Sequence, residues 1–168
     1  MTKVFENIDC KKWWIWGADY LYKTIPNFKD GNLVVWAKKH SEAENKVFGS
    51  AFELCWVYPY CKKEIWFIRA INQSSEALGV HPTQKPTELG VRAICRNTDE
   101  KGLVLDVFLG SGSTLIACEK TGRTCYGMEL DPRYVDVVIQ RYVDYTGDEE
   151  IIKNGEKILW PKSKENLD

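Results

Sequence analysis

An open α/β sheet is the fold this sequence predicts, and three observations point to it. Aromatic and β-branched runs crowd the first half, strands and helices alternate in the second, and one strand there runs into a glycine-rich turn followed by a helix. The 168 residues have the length of one domain, and 44% hydrophobic with 28% charged side chains is the balance of a globular chain that buries its own core. A single domain over residues 1–168 is therefore expected.

Six of the seven tryptophans fall between Trp13 and Trp66. The runs Trp13-Trp14-Ile15-Trp16, Leu33-Val34-Val35-Trp36, Phe52 to Tyr58 and Ile65 to Ile68 read as strands, because branched and aromatic side chains pack well on a pleated surface. Tryptophans so placed are core more often than stacking surface. Asp30-Gly31-Asn32 marks a turn before the second strand, Tyr58 to Lys63 a hairpin-like loop between the last two, and Asp19 to Ile25 a short helix. In the second half Pro86 to Arg96 reads as a helix, Gly102 to Phe108 as a buried strand, Ser113 to Thr121 as a helix and Thr124 to Leu130 as a strand. Pro132 then opens a helix through Tyr134 to Tyr145, since proline suits a first helical position. The charged end from Lys162 to Asp168 is expected to fray.

Composition excludes several classes. No apolar run approaches the ~20 residues that span a bilayer, and Met1 to Glu6 lacks the apolar stretch of a signal peptide. A cytoplasmic location without a membrane partner follows as the expectation. The six cysteines form no C-x-x-C pair and only His40 and His81 could join them, so no metal site is expected and the thiols should be reduced and mostly packed. A net charge of −1 advertises no polyanionic partner. The Lys38-Lys39-His40 and Lys62-Lys63 loops are the places where phosphate contact could occur, although such pairs are usually solvated surface.

The informative stretch is Val104 to Leu115. Asp106 ends a strand, Phe108 and Leu109 lead into Gly110-Ser111-Gly112, and Ser113-Thr114 open a helix. Glycines there let the backbone turn sharply and approach a ligand, while the helix behind them presents unpaired N–H groups. About twenty residues on, Glu129 stands at the end of the next strand, where doubly wound folds bind a ribose hydroxyl.

At these residues the chain resembles the S-adenosylmethionine-dependent DNA amino-methyltransferases, in the permuted group whose cofactor motif follows the catalytic one. Asp106-Val107-Phe108-Leu109-Gly110-Ser111-Gly112-Ser113-Thr114 is similar to that family's D-P-F-x-G-S-G-T-T, with Val for Pro and Ser for Thr. His81-Pro82-Thr83-Gln84-Lys85-Pro86-Thr87-Glu88-Leu89 resembles its H-P-T-Q-K-P-x-x-L signature at every fixed position. Trp14 to Tyr20, Leu33 to Lys38 and Phe52 to Trp56 resemble its later strands, so the likeness runs over residues 13–145.

The resemblance implies a Rossmann-like, permuted methyltransferase sheet, incomplete at its N-terminus by one or two strands. It implies S-adenosyl-L-methionine as cofactor and double-stranded DNA as partner. The implied cofactor-binding residues are Asp106, Phe108, Gly110, Ser111, Gly112, Ser113, Thr114 and Glu129, with Thr83, Lys85 and Asp19 toward the methionine end. For Asp19 a plain helix-cap role fits equally well, and His81 reads as structural. The family's catalytic D-P-P-Y or S-P-P-Y loop does not occur in the sequence, and Tyr58-Pro59-Tyr60 reads as a turn, so no catalytic residue is assigned. Two readings follow: a site-specific DNA methyltransferase acting on an exocyclic base amine, adenine N6 before cytosine N4, or a catalytically inactive cofactor-binding subunit or remnant that supports a partner or binds DNA. Either leaves room for a second chain that supplies the loop, or for a homodimer.

Overall fold

The computed structural model describes residues 2–41, 43–46, 49–59, 62–68 and 84–163. The chain divides into two compact units, Met1–Ser74 and Ser75–Asp168.

In the first unit, helix α1 (Thr2–Asn7) precedes β1 (Trp13–Trp16), α2 (Ala18–Leu21), β2 (Asn32–Ala37), β3 (Phe52–Tyr58) and β4 (Glu64–Phe67), with 3-10 turns at Phe28–Asp30 and Ala43–Lys46. The strands form one sheet in the order β1-β3-β2-β4. Strand β3 runs antiparallel to β1 and β2, whereas β4 lies parallel to β2 with Trp36 opposite Trp66. The loop after Tyr58 is thus no hairpin: it carries the chain past β2 to that strand's far edge. Strand alternation sends the tryptophans to both faces. Trp14 stacks on Trp66 at 5.3 Å and Trp16 meets Trp36 edge-on at 6.1 Å on one face, while Trp56 packs with Ile15, Ala18 and Ile25 on the other. Trp36, Trp56 and Trp66 are buried, as core tryptophans should be. The expected helix over residues 19–25 is shorter, Ala18–Leu21, with its remainder a turn.

The second unit holds α3 (Thr87–Asn97), β5 (Leu103–Asp106), α4 (Ser113–Thr121), β6 (Thr124–Gly127), α5 (Pro132–Thr146) and a hairpin, β7 (Glu150–Lys153) with β8 (Glu156–Leu159). Strands β5 and β6 pair in parallel, joined through α4 as a β-α-β crossover. Helices α3 and α4 approach closely: a Cβ at Gly90 would stand only 2.8 Å from that of Ala117. Ile94, Ala117 and Cys118 form the core there, with Val91, Val104 and Cys125 packed around them. The described cysteines are free thiols, and hydrogen bonding to Cys125, with burial, pushes the Cys118 thiol up so that it stays protonated. Leu89, on α3, is 1% exposed. Its truncation, Leu89→Ala, is expected to cost about 3 kcal/mol in urea unfolding, and a loss below about 1 kcal/mol would show that the site collapses around the cavity.

Three expectations need correction here. Strand β5 is not buried: Leu103 and Leu105 are 68% and 46% exposed on one side, and Val104 and Asp106 are half-buried on the other. Strand β6 ends at Gly127 rather than Leu130, because beyond it the Glu129 carboxylate accepts from the N–H groups of Leu130 and Asp131 and turns the chain. Lys162 and Ser163, expected to fray, are held. The Lys162 N–H donates to Glu149 Oε1 at 2.9 Å, and Ser163 donates through N and Oγ to the Asp144 carboxylate at 2.8 and 2.7 Å; residues 164–168 lie outside the described residues.

Candidate functional site

The corner foreseen from the sequence is built on β5 and β6. The Met128 N–H donates to the Asp106 carbonyl at 2.9 Å and the Leu109 N–H to the Met128 carbonyl at 3.0 Å, so the ladder continues one step beyond both strands. Asp106 then bends the chain: its Oδ1 accepts from the Phe108 N–H at 3.0 Å. The Gly112 N–H donates to the Leu109 carbonyl at 2.9 Å, closing a tight turn over Gly110 and Ser111. Gly110 and Gly112 have φ of 55° and 81°, the left-handed region that favours glycine. A side chain at Gly112 would also press on α5, since its Cβ would lie 3.0 Å from Val138 Cγ2. Gly112 is the N-cap of α4 and no side chain caps that end, so the main-chain donors of its first turn, Ser113 and Thr114 included, have no side-chain acceptor there.

Glu129 closes the corner from the β6 side. Its Oε2 accepts from the Gly110 N–H at 2.8 Å, and its Oε1 from the N–H groups of Leu130 and Asp131 at 2.8 and 2.9 Å. The Asp131 N–H above all, with those of Gly110 and Leu130, holds the Glu129 carboxyl below the usual carboxylate range, so it is ionised at neutral pH. The result is a carboxylate and a glycine turn fixed to each other within one hydrogen bond. Such a pair can accept from hydroxyl groups while the helix start faces an anionic or polar group.

Of the residues read from the sequence, Asp106, Phe108, Gly110, Ser111, Gly112, Ser113, Thr114 and Glu129 come together here. Phe108 is 65% exposed, an aromatic face open to a planar partner. Ser111 instead turns inward, 4% exposed, where its carbonyl and Oγ accept from Arg141 Nη1 at 2.6 and 3.2 Å. Lys85 is half-buried just ahead of α3, whose Gly90 lies beside the first turn of α4: its Cβ would stand 3.9 Å from Thr114 Cα. Thr83 and His81 lie outside the described residues. Asp19 sits exposed in the first turn of α2, in the other unit.

Arg141 was not singled out from the sequence. Its signal was its place three residues after Val138 on α5, which puts both on the face that meets the glycine turn. Of the two basic loops, Lys38 is paired with Glu53, and Lys39 Nζ donates to the Gly49 carbonyl at 2.8 Å. Among the described residues no cluster of His, Cys, Asp and Glu could hold a metal ion, and no helix is long and apolar enough to cross a membrane.

Residues 59–140 match the family model described as DNA methylase. The Type II methyltransferase M2.MboI of Moraxella bovis is 32% identical over 143 residues, which are 77% of this chain and 48% of that protein. M.BglII of Bacillus subtilis is 32% identical over 77 residues, 46% of this chain and 21% of that protein. The chain thus spans about half the length, or less, of these curated relatives. Among solved structures, the complex of M1.HpyAVI with S-adenosylmethionine superposes with a TM-score of 0.62 at 18% identity, over 84% of this chain and 79% of that one. The cytosine-N4-specific PvuII DNA methyltransferase gives 0.59 at 18% identity, over 76% and 58%. At such identities the likeness shows the fold, a Rossmann-like α/β sheet.

Proposed function

We propose, from the match of residues 59–140 to the DNA methylase family model, that this chain binds S-adenosyl-L-methionine and serves the site-specific transfer of its methyl group to an exocyclic amine of DNA. The observation that carries the reading is the bond from Gly110 N–H to Glu129 Oε2, which sets a glycine turn, an uncapped helix start and an ionised carboxylate in one corner.

The residues fit the cofactor. Glu129 keeps acceptor capacity for the ribose hydroxyls, Phe108 offers its face to the adenine, and Gly110 and Gly112 remove the side chains that would occupy the approach. Asp106 sets the bend that aims the turn, while Ser113 and Thr114 present hydroxyls and N–H groups at the start of α4. Thr83, Lys85 and Asp19 belong to this reading as partners of the methionine end. When bound, the cofactor supplies a methyl group on a sulfonium, activated for in-line attack by the amine. Double-stranded DNA is the partner, adenine N6 the target atom, 1–168 one methyltransferase domain and the cytoplasm its location.

A second reading has its own observation. The 168 residues contain neither D-P-P-Y nor S-P-P-Y, and a base amine, whose lone pair is delocalised, needs acceptors that hold it in line with the sulfonium. In that reading the chain is a cofactor-binding subunit whose partner chain, or second copy, completes the enzyme. The test is calorimetric titration of the purified chain with S-adenosylmethionine, followed by methyl transfer to unmethylated DNA. Binding with transfer supports the first reading and binding without transfer the second. Absence of binding overturns both.

A further inference from the structure

The glycine turn is held from two sides. Glu129 takes its Gly110 N–H, and Arg141, from the middle of α5, takes the carbonyl of Ser111. The peptide between Ser111 and Gly112 is planar and trans, so its carbonyl and N–H point in opposite directions. Its carbonyl points to the guanidinium at 2.6 Å and its N–H to the Leu109 carbonyl at 2.9 Å. Fixing one end of that peptide therefore fixes the other, and with it the entry into α4. Val138, one turn earlier on α5, closes the same contact by filling the space a Gly112 side chain would need.

Helix α5 is itself braced. Trp160 Nε1 donates to Gln140 Oε1 at 2.9 Å, Gln140 Nε2 to the Pro161 carbonyl at 3.1 Å, and Ser163 is tied to Asp144. The segment after the β7–β8 hairpin thus straps down the helix on either side of Arg141.

We propose that Arg141 is a positioning residue for cofactor binding: it orients the Ser111–Gly112 peptide before the ligand arrives, so that binding does not have to order the turn. The proposal rests on the reading of the corner as an S-adenosylmethionine site. A charge-assisted hydrogen bond to the carbonyl of a buried residue is among the stronger single contacts a side chain can make, and it reaches the ligand only through the turn.

The test compares wild type, Arg141→Met and Arg141→Lys. Amide resonances of Gly110 and Gly112 are recorded in the ligand-free chain, and affinity for S-adenosylmethionine is measured by calorimetry. Arg141→Met is expected to shift or broaden both glycine resonances and to weaken affinity about tenfold, with Arg141→Lys recovering most of that loss through a charged N–H of its ammonium group. Unchanged glycine resonances, affinity of Arg141→Met within about twofold of wild type, or a lysine variant as weak as methionine would each overturn the proposal. Should Arg141→Met fail to fold, Arg141→Gln takes its place under the same criteria. If wild type itself does not bind, the cofactor reading fails, and the resonances still report whether Arg141 sets the turn.

Discussion

Glu129→Ala is expected to weaken S-adenosylmethionine binding by about a hundredfold in calorimetry, since a hydrogen bond to a charged group contributes about 1.5–3 kcal/mol. The substitution removes the acceptor proposed for the ribose, and it also releases the N–H groups of Gly110, Leu130 and Asp131. The turn loses its hold on the β6 side at the same time as the ligand loses a partner. A pH signature accompanies the effect. The folded-state carboxyl is held below its ordinary value, so its contribution is fully present above the unfolded glutamate pKa of about 4.3 and is lost as pH falls through the lower folded value. The Glu129 contribution to stability should therefore fade in acid, below about pH 4, and Glu129→Gln should remove that dependence. Affinity of Glu129→Ala within about threefold of wild type would remove Glu129 from the site.

Gly31→Ala is expected to destabilise the first unit by about 4 kcal/mol in urea unfolding, combining overpacking with a displaced buried hydrogen bond. The backbone there is ordinary, with φ of −99°, so none of the cost is backbone strain. A Cβ would fall 2.2 Å from Trp56 Nε1 and 2.7 Å from the Val57 carbonyl. The Trp56 indole cannot simply yield, because its N–H donates to the Phe28 carbonyl at 2.8 Å and its ring packs against Ile15 and Ala18. A loss below about 1 kcal/mol would show that the Asp30–Asn32 turn shifts to make room.

Gly31 also shows where reading a sequence stops. Asp30-Gly31-Asn32 is legible as a turn from its residue types, yet the reason for glycine is an indole 25 positions later, which no local pattern displays. Strand β3 was legible to its ends, because an aromatic-rich apolar stretch broken only by Glu53, and followed by a proline loop, has one good use. Its neighbours were not: β4 pairs in parallel with β2, and strand order is decided by connections rather than by the strands. The β7–β8 hairpin went unread although Asn154-Gly155, with φ of 53° and 88°, is the residue pair a two-residue turn favours, because the flanking segments are short and charged. In the candidate site, Asp106, the glycines and Glu129 were legible since strand, turn, helix and strand follow one another in the chain. The bonds from Gly110 to Glu129 and from Arg141 to Ser111 were not, for they join residues 19 and 30 positions apart.

The outward side of the β5–β6 pair sets how the protein behaves in a tube. Leu103, Leu105 and Tyr126 stand exposed along it, and Met128 follows at 62% exposure. Parallel strands are ordinarily covered on both faces. A dye that fluoresces in apolar surroundings will therefore brighten on the native chain, before any unfolding. Storage life will then follow colloidal conditions, such as concentration and salt, more closely than melting temperature.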